Sequence, residues 1–193
     1  MLKIGIITGS TRPNRKSPDV AKWVLEIARN RSDAEVELVD IKGFDLPLLD
    51  EPMPPSMGNY QHAHTKRWAA KIASLDAFVF VSPEYNHGIP AALKNAIDFL
   101  YAEWKDKAAG FVGYGGAGGT RAVEHLRLVM AEVKVAGVRA QVALSLFTDF
   151  ENFVTFKPAP HQEKSVTAML DDLMPWAEAL KTLRVQRAKA GAR

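Results

Sequence analysis

The chain has 193 residues, ample for one domain with a sizeable core, and 47% hydrophobic and 24% charged residues are ordinary for a water-exposed globular protein. It contains no cysteine, which excludes disulfides, thiolate metal sites and a cysteine nucleophile. The net charge of +3 hints at nucleic acid. The excess, however, gathers in Lys181, Arg184, Arg187, Lys189 and Arg193, which reads as a solvated helix end, and no aromatic interleaving or nucleic-acid module accompanies it.

Along the chain, apolar β-branched runs alternate with helical patterns. "LKIGIIT" (2–8) is continuous and apolar, as in a strand buried on both faces. "SPDVAKWVLEIARN" follows with Val20, Trp23, Val24 and Ile27 at helical spacing; Ser17 reads as its N-cap and Pro18 as its first residue. "AEVELVDI" (34–41) alternates enough to lie near a sheet edge. A Pro- and Met-rich stretch without period then runs to residue 60, a loop of the length usually tied to function. The pattern continues with a helix over 65–75, a strand over 76–82 and a helix over 90–104. A strand over 108–115, a helix over 119–137 closed by Gly137, a strand over 139–147 and a long helix over 161–190 complete it.

Such alternation implies an α/β protein, a five-stranded parallel sheet between helices, and right-handed crossovers leave few topologies. A ligand loop directly after the first strand points to a flavodoxin-like three-layer sandwich with strand order 2-1-3-4-5, spanning 1–193 as a single domain. The longest apolar run falls far short of the roughly 20 residues of a membrane span. The start reads as a strand and not as a signal peptide, so a cytoplasmic protein is expected.

In that order the loops after strands one, three and four converge beyond the carboxyl ends of the strands. The first, "GSTRPNRKS" (9–17), matches neither the P-loop nor the dinucleotide fingerprint, yet it sets Ser10, Thr11, Arg12 and Ser17 at a helix N-terminus, where an oxyanion is well received. Alone, it also reads as a solvated polar turn. The second, "SPEYNHGIP" (82–90), offers backbone donors and acceptors at an irregular turn, with Tyr85 available to cover a flat ring. Asn86 and Gly88 alone could simply make that turn, and Glu84 and His87 are neighbours without being shown to be an acid/base pair. The third, "GYGGAGGTRA" (113–122), implies a backbone closely approached by something flat or by another chain. His62 and His64 lack a third ligand nearby in sequence, so no metal site is expected. His125 and His161 read as surface residues, and Trp104 and Trp176 as packing or interface anchors.

With these loops in register, residues 1–150 resemble the NADPH-dependent FMN reductase family of flavodoxin-like proteins. "GSTRPNRKS" is similar to that family's G-S-x-R-x-x-S loop with extra residues before the last serine. "PEYNHGIPAALKNAIDF" is similar to its P-E-Y-N-x-x-x-P-x-x-L-K-N-x-I-D block, and "GYGGAGGTRA" to its glycine-rich loop. The resemblance implies FMN as cofactor, with its phosphate on Ser10, Arg12 and Ser17, aided by Thr11. The ring system would lie over Pro83, Glu84, Tyr85 and Asn86, against Gly115 and Gly116, and Arg15 would be free to reach a 2′-phosphate of NADPH.

The implied chemistry is hydride transfer from NADPH or NADH to flavin N5 and onward to a small acceptor such as a quinone, free flavin, azo compound or metal oxyanion. It requires no general acid or base from the protein. The resemblance further implies a homodimer or homotetramer, with the helix 90–104, including Asp98, and the loop 51–60 at the interface. The competing reading is a flavodoxin-type electron carrier that does not turn over pyridine nucleotide; such carriers are typically acidic, whereas the pI here is near 9.1.

Overall fold

The computed structural model describes residues 1–191. Five strands, β1 (Leu2–Thr8), β2 (Ala34–Asp40), β3 (Ala77–Pro83), β4 (Lys107–Gly115) and β5 (Val135–Ser145), form one parallel sheet in the order β2-β1-β3-β4-β5. Helices α1 (Ser17–Ala28) and α5 (His161–Gly191) cover one face. Helices α2 (Ala63–Ala73), α3 (Ala91–Asp98) and α4 (Thr120–Glu132) cover the other.

Side-chain alternation along each strand makes the two cores. Ile4, Ile6, Val79, Val81 and Val112 point toward α1 and α5. Ile7, Phe78, Phe80 and Phe111 point the other way, onto Trp68 and Trp104. Both indoles are almost fully buried and satisfied, Trp68 Nε1 donating to Ala96 O at 2.7 Å and Trp104 Nε1 to Ile97 O at 3.1 Å. Trp104 is therefore a packing residue, whereas Trp176 is 54% exposed. Among the described residues no helix is long and apolar enough to cross a membrane.

Four sequence expectations are corrected. Helix α3 stops at Asp98, not at residue 104, because the chain turns there to bury Phe99, Leu100 and Trp104. Helix α4 ends at Glu132, and Gly137 lies inside β5: Lys134 adopts φ +59° to turn the chain, and valines 133, 135 and 138 serve the core. A short hairpin, β6 (Phe150–Glu151) with β7 (Thr155–Phe156), follows β5 where the periodicity showed nothing.

The fourth correction concerns the basic end of α5, which is a clasp and not a solvated tail. Lys181 Nζ donates to Asp76 Oδ2 at 2.8 Å, and Arg184 donates to Asp76 Oδ1 and to Asp106 O, both at 2.6 Å. Arg187 pairs with Asp106, and Arg193 lies outside the described residues. These contacts pin α5 across the amino-terminal edge of the sheet, where Asp76 also accepts from the Lys3 N–H at 3.0 Å.

Burial raises the pKa of Asp76, but the bonds from Lys181 and Lys3 and the charges of Lys181 and Arg184 outweigh it and hold the carboxyl below its ordinary value. A depressed pKa of this kind contributes stability above the unfolded-state value, about pH 4, and loses it as pH falls through the folded value. Asp76→Asn is expected to lower unfolding free energy at pH 7 by about 1–3 kcal/mol. In denaturant titrations the gap from the parent protein should close below about pH 4.

Candidate functional site

Parallel pairing brings the ends of β1, β3 and β4 to one edge. The Gly9 N–H donates to Val81 O at 2.8 Å, tying the first loop to β3. Beyond it, Ser10 is buried; its Oγ lies 2.9 Å from Tyr85 Oη and accepts from the Arg12 N–H at 3.3 Å. Arg12 itself is exposed, its guanidinium 5.7 Å from the centroid of the Tyr85 ring.

Arg15 is committed to the loop. It donates to Ser10 O at 2.6 Å and pairs with Asp40 at the end of β2, whose other oxygen accepts from Thr8 Oγ1 at 2.8 Å. These bonds brace the loop, while Arg15 also lines the cleft at this edge. Ser17 is the first residue of α1 and not its cap. Lys16 occupies the cap position without a side-chain bond, and the buried Ser17 Oγ meets Tyr114 Oη at 2.7 Å. Among the described residues, the N–H groups of Thr11, Asn14, Lys16 and Ser17 have no intramolecular acceptor. Those of Lys16 and Ser17 stand at the positive end of α1.

The second loop is built on a tight reverse turn. Tyr85 and Gly88 exchange N–H···O bonds of 3.0 and 3.1 Å, with Asn86 at φ +48° and His87 at φ +74° between them. Left-handed geometry at both central residues defines a type I′ turn, which leaves the N–H groups of Asn86 and His87 pointing outward. Glu84 has other duties. Its N–H donates to Tyr114 O at 3.0 Å, and its carboxylate, 4% exposed, pairs with Arg121 and accepts from the Arg121 N–H at 3.1 Å.

Burial raises the Glu84 pKa, but the Arg121 hydrogen bond and charge and the N–H groups of residues 121 and 122 bring it below the ordinary value. Glu84 is thus an ionised cap on α4, not an acid beside His87. The His87 ring lies 5.9 Å from that of His125 instead.

In the third loop, Gly115 O accepts from Gly118 N at 3.0 Å and from Leu146 N at 3.1 Å, and Gly116 is exposed. Gly119, at φ +68°, starts α4; a Cβ there would sit 2.4 Å from Tyr114 N. Part of the glycine richness therefore serves packing of the chain against itself and not against a ligand.

The three loops and the segment after β5 enclose a cleft of about 410 Å³ lined by Arg12, Asn14, Arg15 and Lys16, by Pro83, Glu84, Tyr85, Tyr114 and Gly115, and by Leu146, Phe153 and Val154. Thr11 faces a separate cavity of about 240 Å³ beside Asn95 and Lys42. The structure thus brings together Arg12, Pro83, Glu84, Tyr85 and Gly115, with Ser10 and Ser17 behind the tyrosines, and turns Thr11 away.

Sequence reasoning missed Tyr114 and the β6–β7 residues. Tyr114 lies in a strand that reads as plain core, and burial raises its pKa although the Ser17 bond opposes the shift. His62 and His64 stack 5.2 Å apart, and His64 Nε2 lies 3.0 Å from Asp50 Oδ1, fastening the long loop to α2.

A doubly wound sheet with its cleft at the switch between β1 and β3 defines a flavodoxin-like α/β protein. Residues 2–149 match the NADPH-dependent FMN reductase family, to which the chain belongs. It is an oxidoreductase of that family, with FMN as cofactor and NAD(P)H as co-substrate. It is 43% identical over 149 residues to an NAD(P)H-dependent FMN reductase of Schizosaccharomyces pombe, covering 76% of this chain and 74% of that one. It is 38% identical to an NAD(P)H-dependent FMN reductase of a Nectria species, covering 97% and 94%. Among solved structures, the flavoenzyme NAD(P)H:(acceptor) oxidoreductase FerB of Paracoccus denitrificans shares the fold, with a TM-score of 0.73 at 21% identity over 93% of this chain and 98% of that one.

Gly119→Ala is expected to destabilise the protein by about 2 kcal/mol or more, because a left-handed residue and a backbone contact are both violated. A thermal melt unchanged from the parent would refute that account of the loop.

Proposed function

We propose that this chain passes electrons from NAD(P)H through FMN to small planar or inorganic acceptors, of which quinones, free flavin, azo compounds and metal oxyanions are the classes tested first. The observation that carries this reading is that one cleft joins the Arg12 and Lys16 end of the first loop to Pro83, Tyr85 and Gly115, the chemistries that suit a ribityl phosphate and a flat heterocycle. Relatives named for related chemistry support it, such as an NAD(P)H:quinone oxidoreductase of Solanum tuberosum at 35% identity over 134 residues. FMN, when bound, supplies the hydride acceptor and the two-electron donor.

In this reading the phosphate is held by the N–H groups of residues 14, 16 and 17 and by the Arg12 guanidinium. In each of the pairs Ser10–Tyr85 and Ser17–Tyr114 one hydroxyl donates to the other, so one O–H per pair remains for the ligand. The ring system rests against Pro83, Glu84, Tyr85, Asn86, Gly115 and Gly116, with the outward N–H groups of Asn86 and His87 at its edge. Glu84 acts by holding α4 through Arg121, not by moving a proton. Exposed Leu48, Leu49, Met53 and Met57 on the loop after β2 support a homo-oligomer built on that segment.

Purified protein mixed with FMN and NADPH under anaerobic conditions should bleach the flavin absorbance, and a quinone should restore it. Absence of bleaching with either NADPH or NADH would overturn the reductase reading in favour of an electron carrier. Arg12→Ala should weaken FMN binding by about 1–3 kcal/mol in a fluorescence-quenching titration, the scale of a charged hydrogen bond. An unchanged Kd would remove Arg12 from the phosphate site.

A further inference from the structure

The segment after β5 is held far more firmly than its length suggests. Buried Asp149 accepts from the Ser145 N–H at 2.9 Å, Thr148 Oγ1 at 2.9 Å, the Ala159 N–H at 3.0 Å and Gln162 Nε2 at 3.4 Å. Two aromatic rings point inward: Phe150 lies 6.0 Å from Tyr114 and 5.2 Å from Phe156, which meets Trp23 at 5.5 Å. These contacts account for how the flap docks.

Two other rings do nothing for it. Phe147 is 71% exposed and Phe153 58% exposed, edge to face with centroids 5.4 Å apart. Phe153 also occupies a strained position. The β6–β7 turn, closed by Val154 N to Glu151 O at 3.1 Å, has Asn152 at φ +51° and Phe153 at φ +60°. A type I′ turn favours Asn-Gly there, so a bulky side chain at the second position carries a conformational cost that core packing does not repay. The turn sets the Phe153 ring on the wall of the cleft, and Phe147 lies against that ring beside the exposed Gly116, at 3.9 Å from where a Cβ there would lie.

We propose that Phe147 and Phe153 form the stacking corner for a two-ring aromatic electron acceptor of the naphthoquinone class. The inference rests on the reductase reading above and names the residues that select the acceptor. An edge-to-face pair presents one ring face and one ring edge to the same guest. A bicyclic guest spans both, whereas a one-ring quinone meets only one of them, and an inorganic oxidant such as ferricyanide neither.

Phe147→Ala and Phe153→Gly test the proposal. The second completes an Asn-Gly turn, so the fold is kept while the ring is lost. For the double variant, the ratio of kcat/KM for a naphthoquinone to that for ferricyanide should fall roughly 5- to 10-fold, through KM more than kcat, with a smaller fall for benzoquinone. Phe153→Tyr should retain the parent ratio. Binding of 2-naphthol, which accepts no electrons, to the FMN-loaded protein should weaken by a similar factor in calorimetry.

Unchanged ratios together with unchanged 2-naphthol affinity would overturn the proposal. So would a parallel loss of FMN affinity, which would assign the pair to the cofactor seat, or a change of oligomeric mass in light scattering, which would assign it to a second copy of the chain. If the parent protein fails to reduce FMN with either nucleotide, the reductase reading falls by itself. The naphthol titration then still decides whether the corner binds a bicyclic ring.

Discussion

Everything at the ligand edge depends on the parallel pairing of β1 with β3 and of β3 with β4. Register sets Thr8 against Val81 and Pro83 against Tyr114, so three chain reversals far apart in sequence leave the sheet at the same level. Parallel strands require a crossover between each pair, and the crossover helices cover both faces. Only the loops remain free to meet a ligand.

Within those loops, polar groups divide their work in a way that side-chain identities alone do not disclose. Ser10 and Ser17 are buried against tyrosine hydroxyls, Arg15 is spent on Asp40 and Ser10 O, and Glu84 on Arg121 and the start of α4. Positioning thus consumes much of the side-chain chemistry, while backbone N–H groups stay unengaged. A cofactor that carries its own reactivity asks for this arrangement, since orientation and fixed dipoles are what the protein must add.

The opposite edge of the sheet is organised by charge. Asp76 and Asp106 collect three cations from α5, and that helix closes the core over β4 and β5 through Met169, Leu170 and Leu173. The clasp and the cleft lie at opposite strand ends, so the residues that fasten the long helix are separate from those that line the cleft.

Strand and helix identities were legible in the residues because burial on both faces writes continuous apolar runs, as in "LKIGIIT" and "AFVFVS", and burial on one face writes helical spacing, as in Val20, Val24 and Ile27. The convergence of the loops at 9–17, 82–90 and 113–122 followed from strand order. What the linear chain could not carry was the pairing of groups distant along it. The Ser17–Tyr114 bond spans 97 positions and the Arg184–Asp76 pair 108, and neither leaves a local pattern.

The aromatic flap escaped for a related reason: "FENFVTF" has no glycine at its turn, and the reversal there is tied to the docking of Phe150 and Phe156, which are distant along the chain from the residues they pack on. The sequence by itself determined the layers, the strand order and which loops gather at one sheet edge, because those follow from local periodicity and chain connectivity. The tertiary structure alone decided which polar side chains are consumed in bracing the loops and which backbone donors stay free, because a hydrogen bond depends on distance in space and not along the chain.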